Sequence, residues 1–166
     1  GAVPALVAGH SLGEYSALVA AGALDFQDAV KLVRLRAQAM QEAVPQGEGA
    51  MAALLGLEEA QAREACAEAE QGEVVSAANL NSPGQIVIAG SRAAVERAIV
   101  AAKARGAKRA VLLPVSAPFH CALMKPAADR LQQRLTEIDV KVPSIPVLNN
   151  VDVAVEDQPE RIKDAL

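Results

Sequence analysis

The pentapeptide Gly9–Gly13, with the sequence Gly-His-Ser-Leu-Gly, constrains the fold of this chain more than any other segment. The apolar run Val3–Ala8 before it predicts a buried parallel strand, and Glu14–Ala21 after it predicts a helix. A serine at the apex of such a turn needs small residues two positions away on each side, because the flanking backbones come close. The turn exposes the Ser11 hydroxyl and aims the Leu12 amide at a developing oxyanion. We therefore predict a nucleophilic serine; a plain tight turn is the alternative.

A nucleophilic serine needs a base, and the chain contains only two histidines. Neighbouring side chains diverge on a tight turn, so His10 is a poor candidate and is expected to pack or hydrogen-bond under the turn. His120 follows a predicted strand in an irregular segment, where functional residues are often found, and we predict it as the base. A purely structural loop histidine is the alternative. Asp129 and Asp139 are typical of a solvated surface, so the site is predicted to be a dyad without an acidic third member.

The helix predicted over residues 26–43 carries an arginine on its apolar face. At about 100° per residue, Arg36 falls in the middle of a stripe of apolar side chains. That stripe comprises Ala29, Leu32, Val33, Met40 and Ala43. A guanidinium there is costly unless it is paired. It either pairs with an internal carboxylate or reaches the surface, or it binds an anionic ligand such as a carboxylate in a bidentate way.

The segment from Ala50 to Val115 has the predicted order βαββαβ, which is typical of a ferredoxin-like unit. A turn predicted at Asn81–Gly84 joins its two middle strands. Basic residues cluster where its second helix passes into its last strand. They are Lys103, Arg105, Lys108 and Arg109. A solvated basic face is one interpretation, and a landing site for an acidic partner or for phosphates is the other.

Composition excludes several classes of protein. A net charge of −4 provides no electrostatic footprint for nucleic acid. No apolar run approaches the roughly 20 residues that cross a bilayer, and no basic segment followed by an apolar stretch predicts a signal peptide. Cys66 and Cys121 form neither a disulfide framework nor a metal-ligand spacing, which predicts no metal site and a reducing cytoplasm.

Four blocks in order resemble the malonyl-CoA:acyl carrier protein transacylases of type II fatty acid synthesis. They are GHSLGEYSALVAAGAL, RLRAQAMQEAVPQGEGAM, ANLNSPGQIVIAG and PVSAPFHCALMKPA. The resemblance implies an α/β fold in which an α/β-hydrolase-like large domain (residues 1–48 and 116–166) is interrupted by a ferredoxin-like βαββαβ small domain (residues 49–115). Family members are considerably longer and carry glutamines before and after these blocks that complete the site. We therefore expect a fragment that lacks both ends.

The same resemblance implies the reaction and the main site residues. Malonyl-CoA is the substrate, acyl carrier protein is the acceptor, and no cofactor is needed. Ser11 becomes acylated, His120 is its base, and the Leu12 amide forms half of the oxyanion hole. Arg36 binds the malonyl carboxylate. Phe119 stands where related domains that take methylmalonyl units tend to carry serine, and its bulk favours malonyl.

Looser resemblance adds a channel and a docking surface. Asn79 and Asn81 are expected to line the pantetheine channel, and the basic cluster to receive the carrier protein. The alternatives are a serine hydrolase or thioesterase, the acyltransferase domain of a polyketide synthase, and a non-catalytic binding role for the βαββαβ unit. A hydrolase would need an acidic third member and no buried arginine.

Overall fold

The computed structural model describes Ala2–Leu166, and the chain divides into two compact units. The first unit comprises the residues up to Gln38 together with Asp129–Leu166, and the second comprises Ala39–Ala128. Each boundary falls inside a helix. One unit contains a parallel sheet and the other an antiparallel sheet, so the predicted α/β class is confirmed.

The first unit contains a short parallel sheet surrounded by helices. Strand β1 (Val7–Ala8) pairs in parallel with strand β6 (Val147–Leu148). The helices are α1 (Leu12–Ala20), α2 (Phe26–Glu42), α5 (Lys125–Leu135) and α6 (Pro159–Ala165). Their apolar faces form one core, which includes Tyr15, Leu18, Leu32, Leu131, Val147 and Ile162. Three residues, Gly9–Ser11, connect the end of β1 to the start of α1.

The strand predicted over Val3–Ala8 is shorter in the structure, since only Val7 and Ala8 pair with a neighbouring strand. Val3 is 76% exposed and Leu6 is 47% exposed. An apolar run predicts burial only where neighbouring strands cover both sides, and within residues 2–166 β1 has one partner, β6. The first part of the predicted strand is thus wrong for the described chain.

The turns around α1 and α2 follow the predicted chemistry. Gly22 adopts a φ of 72° just beyond α1, a left-handed conformation that favours glycine. The Asp25 side chain accepts hydrogen bonds from the amides of Gln27 at 2.8 Å and Asp28 at 3.3 Å, which caps α2. The turn at Gly22 and the cap at Asp25 together fix where α2 begins, and therefore which of its residues face the core.

The second unit is a four-stranded antiparallel sheet with two helices. In chain order its elements are β2 (Gly49–Leu55), α3 (Glu59–Glu70), β3 (Val75–Ser82), β4 (Gln85–Ser91), α4 (Arg92–Ala104) and β5 (Arg109–Leu112). The strand order is β3-β4-β2-β5, and every neighbouring pair is antiparallel. Alanines dominate the inner faces of α3 and α4, so both helices pack closely on one face of the sheet. A smaller cluster of Met51, Val87 and Ala89 lies outside that core.

The hairpin between β3 and β4 is tighter than predicted. The strands continue to Ser82 and resume at Gln85, so the loop consists of Pro83 and Gly84 rather than the four residues from Asn81. Gly84 has a φ of 74°, which this two-residue loop requires. Asn81 is consequently a strand residue.

None of the helices that the structure describes is long and apolar enough to cross a membrane.

Candidate active site

Ser11 lies at the apex of the predicted turn, between β1 and α1. Its backbone has a φ of 52° and a ψ of −108°, which is an unfavourable conformation for a residue with a side chain. Strained residues of this kind persist where the surrounding structure holds them, and they cluster at functional sites. The turn therefore has the backbone geometry of a nucleophile elbow.

The two glycines that flank Ser11 have different reasons to be small. A Cβ atom on Gly9 would lie 2.0 Å from both the carbonyl carbon and the carbonyl oxygen of Gly13, so no larger residue fits there. A Cβ atom on Gly13 would meet nothing within 4 Å. The expected close approach is thus confirmed at Gly9, whereas at Gly13 the prediction of a steric need is wrong.

The first amides of α1 point toward the turn. The Gly13 amide donates to the His10 carbonyl at 2.9 Å, and the Glu14 amide donates to the Ser11 carbonyl at 3.2 Å. The Leu12 amide has no acceptor among residues 2–166. An uncommitted amide at a helix N-terminus suits an anion, which fits the oxyanion role predicted for Leu12.

Arg36 reaches the nucleophile directly. Its Nη2 atom donates a hydrogen bond to the Ser11 Oγ atom at 2.7 Å, and its guanidinium carbon lies 5.6 Å from the centroid of the Tyr15 ring. Arg36 is half-buried on the same stripe of α2 as the buried Leu32 and Ala39. Within residues 2–166, Arg36 forms no ion pair with a carboxylate. The structure therefore favours a guanidinium whose charge is available to a ligand at Ser11.

The ring of Tyr15 packs against the Arg36 guanidinium. The residue is 3% exposed, and within the described chain its hydroxyl has no hydrogen-bond partner. Burial raises the pKa of Tyr15 to about 12, although the positive charge of Arg36 acts in the opposite direction. The phenol consequently stays neutral at physiological pH and presents the face of its ring to the guanidinium.

Asn150 contacts the turn from the far end of the sequence and was missed as a site residue. Its Oδ1 atom accepts a hydrogen bond from the Ser11 amide, and its Nδ2 atom donates to the Gly9 carbonyl at 2.6 Å. Its own amide donates to the Glu14 carboxylate at 3.0 Å. The available signal was a pair of asparagines, Asn149 and Asn150, directly after the apolar residues Val147 and Leu148, because the ends of parallel strands share one edge of a sheet.

Glu14 is a buried carboxyl group beside the elbow, with an exposure of 5%. Burial raises the pKa of Glu14 above its ordinary value, while the hydrogen bond from the Asn150 amide lowers it. His10, in contrast, is exposed, so the expectation that it packs under the turn is wrong, while the alternative of a hydrogen bond there stays a prediction.

The second unit contains the other predicted site residues. His120 is exposed in the loop between β5 and α5, and its φ is 60°. Phe119 is half-buried against the cluster that includes Met51 and Val87. Asn79 pairs directly with Val87, and directly opposed residues share a face of the sheet, so Asn79 and Phe119 lie on one face.

The remaining predicted site residues of this unit differ in exposure. Asn81 is exposed near the end of β3, next to an irregularity in the register. Arg105 is half-buried and forms ion pairs with Glu64 at 3.8 Å and Glu68 at 2.7 Å, which tie α4 to α3. The other basic residues are exposed, namely Lys103, Lys108 and Arg109. These three remain available to a partner, whereas Arg105 already holds two helices together.

The structure brings Ser11, Leu12 and Arg36 together in the first unit, and His120, Phe119 and Asn79 belong to the second. No group of three or more histidine, cysteine or acidic side chains suited to a metal ion occurs among residues 2–166.

Known proteins with the same sequence features are acyltransferases. The family model described as "Acyl transferase domain" matches residues 1–164. The malonyl CoA-acyl carrier protein transacylase of Escherichia coli (strain K12) is 61% identical over 166 residues, which is 100% of this chain and 54% of that protein. A crystal structure of an acyl carrier protein S-malonyltransferase from Vibrio cholerae is 63% identical, with a TM-score of 0.98 over 99% of this chain and 54% of that chain.

A second solved structure shows a malonyl-transacylase in complex with its type II PKS acyl-carrier protein. It is 57% identical to this chain, with a TM-score of 0.98 over 99% of this chain and 53% of that chain. The chain therefore belongs to the acyl transferase domain family, and its resemblance to malonyl-CoA:acyl carrier protein transacylases is confirmed. The chain spans about half the length of the curated relatives it matches, 54% for the Escherichia coli protein.

Proposed function

We propose that the protein containing this chain transfers the malonyl group of malonyl-CoA to the phosphopantetheine thiol of acyl carrier protein. The observation that carries this proposal is the hydrogen bond of 2.7 Å between Arg36 Nη2 and Ser11 Oγ. A guanidinium fixed at a nucleophile suits an acyl group that ends in a carboxylate, because the planar donors match carboxylate geometry. The names of the relatives from Escherichia coli and Vibrio cholerae support the same donor and acceptor.

The reaction proceeds in two acyl transfers. In the first, His120 takes the Ser11 proton as Oγ attacks the thioester carbonyl, the Leu12 amide donates to the oxyanion, and the collapse expels CoA as its thiol with that proton. In the second, His120 takes the proton of the pantetheine thiol, whose sulfur attacks the malonyl-Ser11 ester and restores the serine hydroxyl. The role of His120 rests on family resemblance and on its being the only histidine besides His10.

Selectivity comes from charge and from bulk. A malonyl carboxylate satisfies the Arg36 guanidinium, whereas an acetyl group leaves that charge unpaired. The ring of Phe119 limits a branch on the acyl group, since its packing against the Met51 cluster holds it in place. Asn79 and Asn81 line the path of the pantetheine arm. The exposed residues Lys103, Lys108 and Arg109 attract an acidic carrier protein, and no cofactor takes part.

The finer fold assignment belongs to the same proposal. We assign residues 1–48 and 116–166 to an α/β-hydrolase-like large domain and residues 49–115 to a ferredoxin-like small domain. The strand order β3-β4-β2-β5 with two helices on one face supports the latter. The two free cysteines, Cys66 and Cys121, support a cytoplasmic location.

The test uses the full-length protein with malonyl-CoA, with and without acyl carrier protein. Intact mass should show a malonyl adduct that Ser11→Ala abolishes, and release of free CoA should continue beyond one equivalent only with carrier protein present. Turnover without the acceptor would show a hydrolase. Absence of an adduct on the wild-type protein would contradict the proposal, and a preference for a polyketide carrier over a fatty acid carrier would change the acceptor.

A further inference from the structure

We propose that Asn150 is a positioning residue for the nucleophile elbow. Its carboxamide joins the two sides of the turn, since Oδ1 accepts from the Ser11 amide and Nδ2 donates to the Gly9 carbonyl at 2.6 Å. One side chain thereby fixes the peptide groups before and at the nucleophile. This inference rests on the proposed function only for one of its assays, malonyl transfer, because the contacts themselves concern the serine.

The strained backbone of Ser11 explains why such a contact is needed. A non-glycine residue with a φ of 52° relaxes unless its neighbours hold it. Gly9 leaves room for the close approach of Gly13, but it has no side chain that could hold Ser11 in this conformation. A carboxamide carries a donor and an acceptor on the same carbon, so Asn150 can bond an amide and a carbonyl on opposite sides of the turn at the same time.

Asn150 is itself held in position by α1 and by the sheet. Its amide donates to the buried Glu14 carboxylate at 3.0 Å. The register of β1 and β6 pairs Ala8 with Leu148, so the residues that follow both strands emerge at the same edge. The elbow, the first turn of α1 and the segment after β6 thus form one connected group across a separation of 139 residues.

A packing role does not account for these contacts. Asn150 is exposed, so replacing it removes little buried apolar surface. The substitution Asn150→Asp keeps the shape and an acceptor for the Ser11 amide, but an ionised carboxylate cannot donate to the Gly9 carbonyl. The substitution Asn150→Ala removes both hydrogen bonds. A matched control is Ser144→Ala, which removes a side-chain hydrogen bond of 2.7 Å to the Ala21 carbonyl, just beyond the opposite end of α1.

The experiment measures the acylation of Ser11 in the full-length protein with two reagents. The first is malonyl-CoA with acyl carrier protein as the acceptor, read as kcat and as KM for malonyl-CoA. The second is a fluorophosphonate, which labels activated serines whatever their natural substrate. We expect Asn150→Ala and Asn150→Asp to lower kcat and the labelling rate by roughly 10- to 100-fold with KM nearly unchanged, because a misplaced nucleophile loses near-attack geometry. Ser144→Ala should stay within about twofold of the wild type. Melting temperatures identify any variant that fails to fold, and the isosteric Asn150→Asp then carries the test.

The outcomes separate this inference from the proposed function. Wild-type rates for Asn150→Asp with either reagent would overturn the positioning role, as would an equal loss in Ser144→Ala. Absence of malonyl transfer by the wild type, together with fluorophosphonate labelling that falls in both Asn150 variants, would refute the proposed function and uphold the inference. A wild-type protein inert to both reagents would overturn both.

Discussion

The turn at Ser11 and the loop at His120 both hold a non-glycine residue at positive φ, 52° and 60°, but different interactions fix them. At Ser11 the contacts are polar and involve backbone, through Asn150 and the close approach of Gly9 to Gly13. These contacts are directional, so small changes there should alter geometry before they alter stability.

The loop at His120 combines packing with a hydrogen bond of 3.1 Å from the Phe119 amide to the Ala117 carbonyl. Ala117 and Pro118 are buried, and Phe119 rests on the Met51 cluster. A Cβ atom on Gly49 would lie 2.4 Å from the Pro118 ring, so that ring sits tightly against β2. The elbow thus depends on hydrogen bonds that cross the turn, whereas the loop at His120 also depends on the packing of buried side chains. The two regions therefore predict different responses to substitution.

The largest effect is expected at the histidine itself. His120→Ala should reduce kcat of malonyl transfer by about 1,000-fold, because general base catalysis by a positioned side chain is typically worth 10²–10⁴-fold. Steady-state kinetics on the full-length protein measure it. His10→Ala is the matched control among the two histidines of the chain and should cost less than about tenfold. Equal losses in both variants would contradict the assignment of His120 as the base.

The glycine pair at the elbow should respond asymmetrically. Gly9→Ala should lower the free energy of unfolding by about 3 kcal/mol, since the added Cβ meets rigid backbone atoms and neither side can yield. Gly13→Ala should change stability by no more than about 1 kcal/mol, and in the stabilising direction, because α1 has open space there. Urea unfolding of both variants and the wild type measures these differences in the free energy of unfolding. A Gly13→Ala variant as unstable as Gly9→Ala would refute the geometry of the turn.

These contrasts also mark what the sequence could predict. The elbow is contiguous, so strand, turn and helix could be inferred from neighbouring residues. The position of Arg36 followed from helical periodicity, which its half-buried place beside Leu32 and Ala39 confirms. The cap by Asp25 likewise depends on residues within three positions. Local rules therefore accounted for the parts of the site that are local.

The rest depended on contacts between distant residues. Asn150 reaches the elbow through the parallel register of β1 and β6. The register between strands so far apart cannot be inferred from one sequence alone. The overextended strand at Val3 has the same cause, because periodicity does not reveal how many neighbours a strand has. The hairpin loop was misplaced because strand ends depend on ladder pairing rather than on Pro83 and Gly84 alone.

Arg36 tests whether the charge at the elbow selects the acyl group. Arg36→Ala should reduce the preference for malonyl-CoA over acetyl-CoA by roughly 10- to 100-fold, or about 1–3 kcal/mol, since a charged partner for the carboxylate is lost. Competition between the two thioesters, read by intact mass, gives the ratio directly. Arg36→Lys keeps the charge but not the planar guanidinium, so its preference for malonyl-CoA should lie between those of the wild type and Arg36→Ala. An unchanged ratio in Arg36→Ala would refute the carboxylate role.

Gly49→Ala is the corresponding test of packing in the second unit. The added Cβ would press on Pro118, which is fully buried and cannot move aside freely. We expect a loss of about 1–2 kcal/mol in unfolding free energy and a smaller loss of activity than Gly9→Ala causes. Gly47→Ala is the control, because a Cβ there meets nothing within 4 Å, although its φ of 91° adds local strain. A greater loss in Gly47→Ala would show that backbone strain outweighs packing in this loop.

The smallest effect concerns the buried acid beneath the elbow. Burial raises the pKa of Glu14 above its ordinary value of 4.5. The folded state therefore binds its proton more tightly than the unfolded state, so the contribution of this group is fully present below pH 4.5 and is lost as the pH rises through the folded-state pKa.

Glu14→Gln removes that titration while keeping an acceptor for the Asn150 amide. The melting temperature of the wild type minus that of the variant should consequently decrease as the pH rises from 4.5 toward neutrality. Thermal unfolding of the two proteins across this range, in matched buffers, measures the difference. A difference that grows with pH would instead show that the hydrogen bond from Asn150 outweighs burial, and that the elbow is built around an ionised carboxylate.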